Sequence, residues 1–160
     1  MGMIIVSKHG WENKIKPGGG MDERLLEIRD YGGEGYQPLI DFGTWRVAIL
    51  RFLDGLQPER QSTMERHTET DEVFVLTKGR GILIMGGNSS KIDGVYPQAI
   101  EIGKIHNIKR NAWHTILLSY DASVIIVENR DTDKHNSEYA DLSTEQCKLI
   151  MDTARQEQFQ

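Results

Sequence analysis

Between Thr44 and Val127 the chain is a succession of short runs that either alternate apolar with polar residues or stay apolar for a few positions, each closed by turn-forming residues. The runs are Thr44–Leu53, Glu72–Leu76, Gly81–Met85, Ala99–Ile102, Ile105–Ile108, His114–Ser119 and Ser123–Val127. Parallel strands need crossover connections of roughly a dozen residues or more, usually helical, and most of these gaps are too short for them. The pattern therefore predicts an all-β, antiparallel sandwich or barrel. Two of the gaps read as hairpin loops: Thr77 to Arg80, where Gly79 can take a turn conformation, and Tyr120 to Ala122. In the run from Thr44, residues Trp45, Val47, Ile49, Arg51 and Leu53 share one face, and Arg46, Ala48, Leu50 and Phe52 the other. Both faces are mostly apolar, which suits a strand covered on one side by the interior and on the other by a further layer or a second subunit. A homodimer is the expectation.

The ends differ from this middle. Ser143 stands in N-cap position with Gln146 three residues on and Leu142 just before, the pattern of a capping box with a hydrophobic staple. Cys147, Ile150, Met151 and Ala154 then recur at helical spacing, predicting an amphipathic helix over 143–157 packed on the outside of the β-structure. Residues 1–40 read as an extension: Lys16, Pro17 and glycines 18–20 break the chain, Met21–Ile28 suits a short helix or an edge strand, and Tyr31–Tyr36 a glycine-rich loop. One domain spanning 1–160, with its β-core over 42–128, is the expected organisation.

Composition narrows the partners. The formal net charge of −5 and the lack of a basic, aromatic-rich run give no attraction to nucleic acid or to anionic membranes. No apolar run is long enough to span a bilayer, and Met1–Ser7 does not have the form of a secretory leader. The single cysteine, Cys147, reads as a structural thiol in a reducing compartment, so a cytoplasmic location is expected.

The chemistry concentrates in two segments. Glu65 and His67 are two apart in an extended run, which puts both side chains on one face, and Glu72 follows after a polar turn that lets a histidine and a glutamate face each other. Glu72 is followed by Val73, Phe74, Val75 and Leu76, so burying its charge requires a cation or hydrogen-bond donors. Arg51 on a neighbouring strand is one candidate for that charge. His114 opens the next histidine-bearing run, with the parity of Ile116 and Leu118.

This arrangement resembles the cupin superfamily. His67, Glu72 and Gly79 fit the second His, the Glu and the Gly of its first motif, with four and six residues between them, and Glu65 stands where the first His belongs. Gly103 and His114 fit the second motif, with Lys109, Asn111 and Leu118 in place of its Pro, second Gly and Asn, and Glu59 replaces the Gly that opens the first. The resemblance implies a double-stranded β-helix, or jelly-roll barrel, with these side chains converging at one end and Phe74, Leu76 and Ile116 closing the other. It also implies a metal site of His67, Glu72 and His114, with Glu65 as a fourth donor, holding one divalent iron, manganese or zinc ion.

Three functions fit: a barrel binding a small polar, sugar- or acid-like molecule, with or without metal; a metal-dependent dioxygenase, isomerase or lyase; and a metal-free sugar epimerase or isomerase with a histidine base. His67, Glu72, His114, Arg51 and Trp113 are the expected ligand contacts. Trp45 is a second ring available to stack on a ligand. His106 is expected outside the pocket, and His9 and His135 in solvent. No phosphate loop, dinucleotide fingerprint or nucleophile-elbow serine is present.

Overall fold

In a computed structural model, which describes residue 22 and residues 24–159, the chain forms ten strands and one C-terminal helix. The strands are β1 (Tyr36–Phe42), β2 (Trp45–Arg51), β3 (Thr63–His67), β4 (Glu72–Lys78), β5 (Gly81–Met85), β6 (Tyr96–Ile100), β7 (His106–Ile108), β8 (His114–Leu118), β9 (Ser123–Asn129) and β10 (Ser137–Asp141). The helix α1 spans Thr144–Gln156. His9, the Lys16–Gly20 break and Met1–Ser7 fall outside the described residues. Among those described, no helix is long and apolar enough to cross a membrane.

The strands form two antiparallel five-stranded sheets, ordered β1-β2-β9-β4-β7 and β10-β3-β8-β5-β6. With the outer strands β1 and β10 set aside, the other eight pair in chain order as first-eighth-third-sixth and second-seventh-fourth-fifth. That is jelly-roll order, in which a long two-stranded ribbon is wound so that its successive strands alternate between sheets. The sheets face each other without closing into a barrel, a correction to the expected closed form.

Both expected hairpins are also corrected. β4 pairs with β7 and β9, whereas β5 pairs with β6 and β8, so Gly79 and Arg80 carry the chain from one sheet to the other. The Tyr120–Ala122 turn does the same between β8 and β9. Alternation in the sequence specifies which face of a strand is buried, but a face points to the common interior from either sheet, so the local pattern cannot tell a hairpin from a corner. The two corners meet. A Cβ on Gly79, whose φ is +74°, would lie 2.6 Å from the Ala122 Cα. Asn111, which stands where the second motif has its Gly, takes a positive φ of +66°.

Inner faces supply one core, including Leu50, Phe74, Leu83, Leu118, Val124 and Ile126. The outer face of the second sheet supplies another, in which Met64, Ile84, Trp113 and Leu117 lie under Ile150 and Ala154 of α1. The helix begins as its sequence predicts, with the capping box of Ser143 and Gln146 complete. Cys147 is partly buried, its thiol directed at the Gln61 carbonyl 3.5 Å away. Two strands were not legible. β1 occupies residues read as loop and extension, and β10 pairs with β3 from a polar segment with no alternation. In the stretch read as helix or edge strand, residues 24 and 25 form a turn and 26–28 are irregular.

Candidate functional site

At one end of the interior a cavity of about 310 Å³ opens between the sheets. Its floor is apolar, from Leu50, Phe74, Ile116 and Ile126, and its wall carries Glu65 and His67 from β3, Glu72 from β4, His114 from β8 and Glu128 from β9. Period-two alternation puts these side chains on inner faces: Glu72 with Phe74 and Leu76, His114 with Ile116 and Leu118, Glu128 with Val124 and Ile126. His67 and Glu72 do face each other, though across the gap between the sheets rather than along one.

Glu72 is the centre of the cluster. Its Oε2 lies 3.0 Å from His114 Nε2 and 3.2 Å from His67 Nε2, and all three residues are buried. Behind the rings, His114 Nδ1 donates to the Ala112 carbonyl at 3.0 Å, and His67 Nδ1 meets Ser137 Oγ at 2.8 Å. Burial pushes the Glu72 carboxyl up, but the hydrogen bonds and charge of the two imidazoles outweigh it and hold the group well below the usual carboxylate range. For both histidines burial acts downward and is likewise outweighed, by the Glu72 hydrogen bond and charge, so each lies above its ordinary value.

The His114 contacts decide what the site can hold. A carbonyl only accepts, so Nδ1 carries a proton, and in a neutral ring Nε2 then presents a lone pair to a carboxylate oxygen. Two acceptors at that distance require a cation between them. Either a second proton makes the ring an imidazolium, or a metal ion takes both donors, and a histidine with its remote N–H fixed on a carbonyl is the common form of a metal ligand. Donor atoms of Glu65, His67 and His114 lie within 4.8 Å of one another, as do those of His67, Glu72 and Glu128. This set of imidazole nitrogen and carboxylate oxygen suits iron, manganese or zinc.

Strand order and motif positions now agree. The chain is a jelly roll whose cavity gathers the motif histidines and Glu72. No protein-family model matches its sequence. Auxin-binding protein 4 from Zea mays is 30% identical over 86 residues, covering 51% of this chain and 40% of that protein, so the chain spans well under half of its curated relative. A cupin-2 domain protein from Shewanella frigidimarina superposes with a TM-score of 0.47 at 13% identity, over 62% of this chain and 85% of that one. Pac13, a nucleoside dehydratase, superposes with a TM-score of 0.48 at 8% identity, over 72% and 86%.

Two expected contacts lie elsewhere in the fold. Arg51 has the parity of Val47 and Ile49, on the outer face, where its guanidinium donates to the Tyr31 carbonyl at 3.2 Å; it does not line the cavity or neutralise Glu72. Trp113 faces the layer beneath α1, where its indole donates to the Ser89 carbonyl and the Arg66 guanidinium stacks 4.4 Å from its ring centre. Its neighbour His114 faces inward, so their alternation alone excludes one of the pair. Trp45 is on the outer face as well. His106 does not line this cavity, and His135 lies in solvent beside Asp133.

Sequence reasoning missed Tyr36, Glu128, Ser137 and Tyr139. Glu128 had a signal: it extends the parity of Val124 and Ile126 by one step beyond the run ending at Val127. Its carboxylate accepts from the Tyr36 hydroxyl. Burial raises the Glu128 carboxyl above its ordinary value despite that bond, and burial with the Glu128 contact raises the Tyr36 hydroxyl. Ser137 and Tyr139 reach the cavity because β10 pairs in register with β3, opposite His67 and Glu65.

Proposed function

We propose that this chain is a cupin that binds one divalent metal ion through His67, His114 and Glu72, with Glu65 as a further donor, and takes a small polar molecule into the cavity beside it. The observation that carries this reading is His114 Nε2 set 3.0 Å from the Glu72 carboxylate in a buried site, with the Nδ1 of the same ring on the Ala112 carbonyl. Leaving a buried carboxylate without a compensating cation costs several kcal/mol, about 3–5 when one partner of a pair is removed. When bound, the metal supplies a Lewis acid that can polarise a ligand oxygen. The protein's part is to fix the imidazoles from behind, through Ala112 and Ser137, and to keep Phe74 and Ile126 against the polar cluster so that water is restricted.

Elemental analysis of protein carrying no histidine tag, followed by equilibrium dialysis against manganese, iron and zinc, tests the reading. About one ion per chain is expected, lost in His114→Ala. A protein that neither retains nor takes up metal at millimolar concentration sinks it, and leaves the alternative supported by the same contact. In that case a proton supplies the charge, and an imidazolium held on Glu72 serves as an acid–base pair.

A further inference from the structure

The charges around the cavity point to its ligand. Among the described residues four carboxylate side chains line it, Glu65, Glu72, Glu128 and Asp133, and no lysine or arginine does so. A divalent ion at the histidines would balance two of the four. Glu128 lies outside the motif positions and is 7% exposed, and among the described residues no cationic group lies within ion-pair distance of it. Its cross-strand partner on β2 is Arg46, the natural counter-ion, but that guanidinium is held by Asp41 at 2.9 Å and reaches Glu128 only through the Tyr36 hydroxyl between them. One Glu128 oxygen takes the Tyr36 hydroxyl, and the carboxylate keeps capacity for further donors.

Such a wall is rich in acceptors and poor in donors. It repels a carboxylate or phosphate and complements a molecule that brings its own N–H groups and positive charge. The rings of Tyr36 and Tyr139, both partly exposed at the cavity, suit the same partner, since aromatic faces attract cations. The volume, about 310 Å³, is at the lower end for small-molecule sites, the scale of a monosaccharide rather than a dinucleotide.

Resting on the reading of this cavity as a ligand site, we infer that it accommodates an amine-bearing polar molecule of monosaccharide size, with Glu128, oriented by Tyr36, accepting from the protonated amine. This replaces the acid-like ligand among the sequence expectations.

Three pyranoses that differ in charge test the inference: glucosamine, glucose and glucuronate, titrated calorimetrically into wild type and Glu128→Gln at a pH where the amine is protonated. Wild type is expected to bind glucosamine roughly tenfold more tightly than glucose, with glucuronate weakest, as a charge-assisted hydrogen bond requires. In Glu128→Gln the preference for glucosamine over glucose disappears while the affinity for glucose is kept. Tyr36→Phe, which leaves the carboxylate but frees it, reduces the preference without removing it, and circular dichroism checks that both variants are folded. Metal content is measured on the same wild-type samples. If the metal reading fails, metal content is nil while the amine preference survives. The inference is overturned if glucuronate binds as well as glucosamine, if the preference persists without Glu128, or if none of the three binds.

Discussion

At the residue scale, the shared oxygen of Glu72 makes the site respond to pH in opposite senses with and without metal. In the metal-free protein the histidines have folded pKa values above their unfolded ones, so their contribution to stability is complete below about pH 6.5 and is lost as pH rises through the raised values. Glu72, with its folded value depressed, contributes above about pH 4.5 and loses that contribution as pH falls through the lower value. Thermal unfolding of chelator-treated protein should therefore peak between those limits. Metal binding needs neutral imidazoles, so with saturating metal the unfolding temperature should climb from pH 6 to 8 instead. Parallel falling profiles in both samples would show that no ion engages the histidines. Glu72→Leu should keep the fold and lose the metal, because it roughly conserves volume and removes a buried charge. Arg51→Ala should leave metal content unchanged. Much of this cluster was legible because a two-residue period places His67, Glu72 and His114 on inner faces whichever sheet holds them. Tyr36 and Ser137 were not, since they depend on how the outer strands pair.

At the element scale, the corners of the jelly roll bear a constraint that the strands do not. Gly79 combines a positive φ with a backbone neighbour 2.6 Å from where a Cβ would sit, so neither the turn nor the adjoining Ala122 can give way cheaply. Gly79→Ala should destabilise the protein by about 2–4 kcal/mol, measured by urea unfolding, combining backbone strain with overpacking. Asn111→Ala, at a positive φ without that clash demanded of it, should cost only about 1–2 kcal/mol. If the two substitutions cost the same, the close approach of the two corners is not a determinant of the fold. Strands β2, β4, β5, β8 and β9 were readable from alternation, and α1 from its cap and apolar stripe. Their assignment to sheets was not. The turn at Gly79 and Arg80 is as short as a hairpin, and only the jelly-roll winding makes it a crossing.

At the scale of the whole molecule, the two sheets are finished differently. The outer face of the second sheet is roofed by α1, whereas that of the first presents Val47 and Ile49 of β2, Ile125 and Val127 of β9, and Val73 and Val75 of β4, all half-buried, with no helix over them among the described residues. Phe42 and Trp45 extend the same face, their ring centres 5.8 Å apart and both exposed. Contiguous apolar surface on this scale marks an interaction site. We propose that a second copy of the chain covers it, pairing first sheet to first sheet about a two-fold axis, since a self-complementary apolar face is what an isologous dimer needs. The face is remote in orientation from the cavity, whose walls are the inner sides of the strands, so dimerisation leaves the ligand site open. Light scattering should return twice the chain mass of 18.2 kDa. Trp45→Glu and Val47→Glu together should halve it while leaving metal content intact, because both side chains point away from the histidine cluster. A wild-type mass of one chain across a broad concentration range would remove the dimer and require the face to be covered within the monomer.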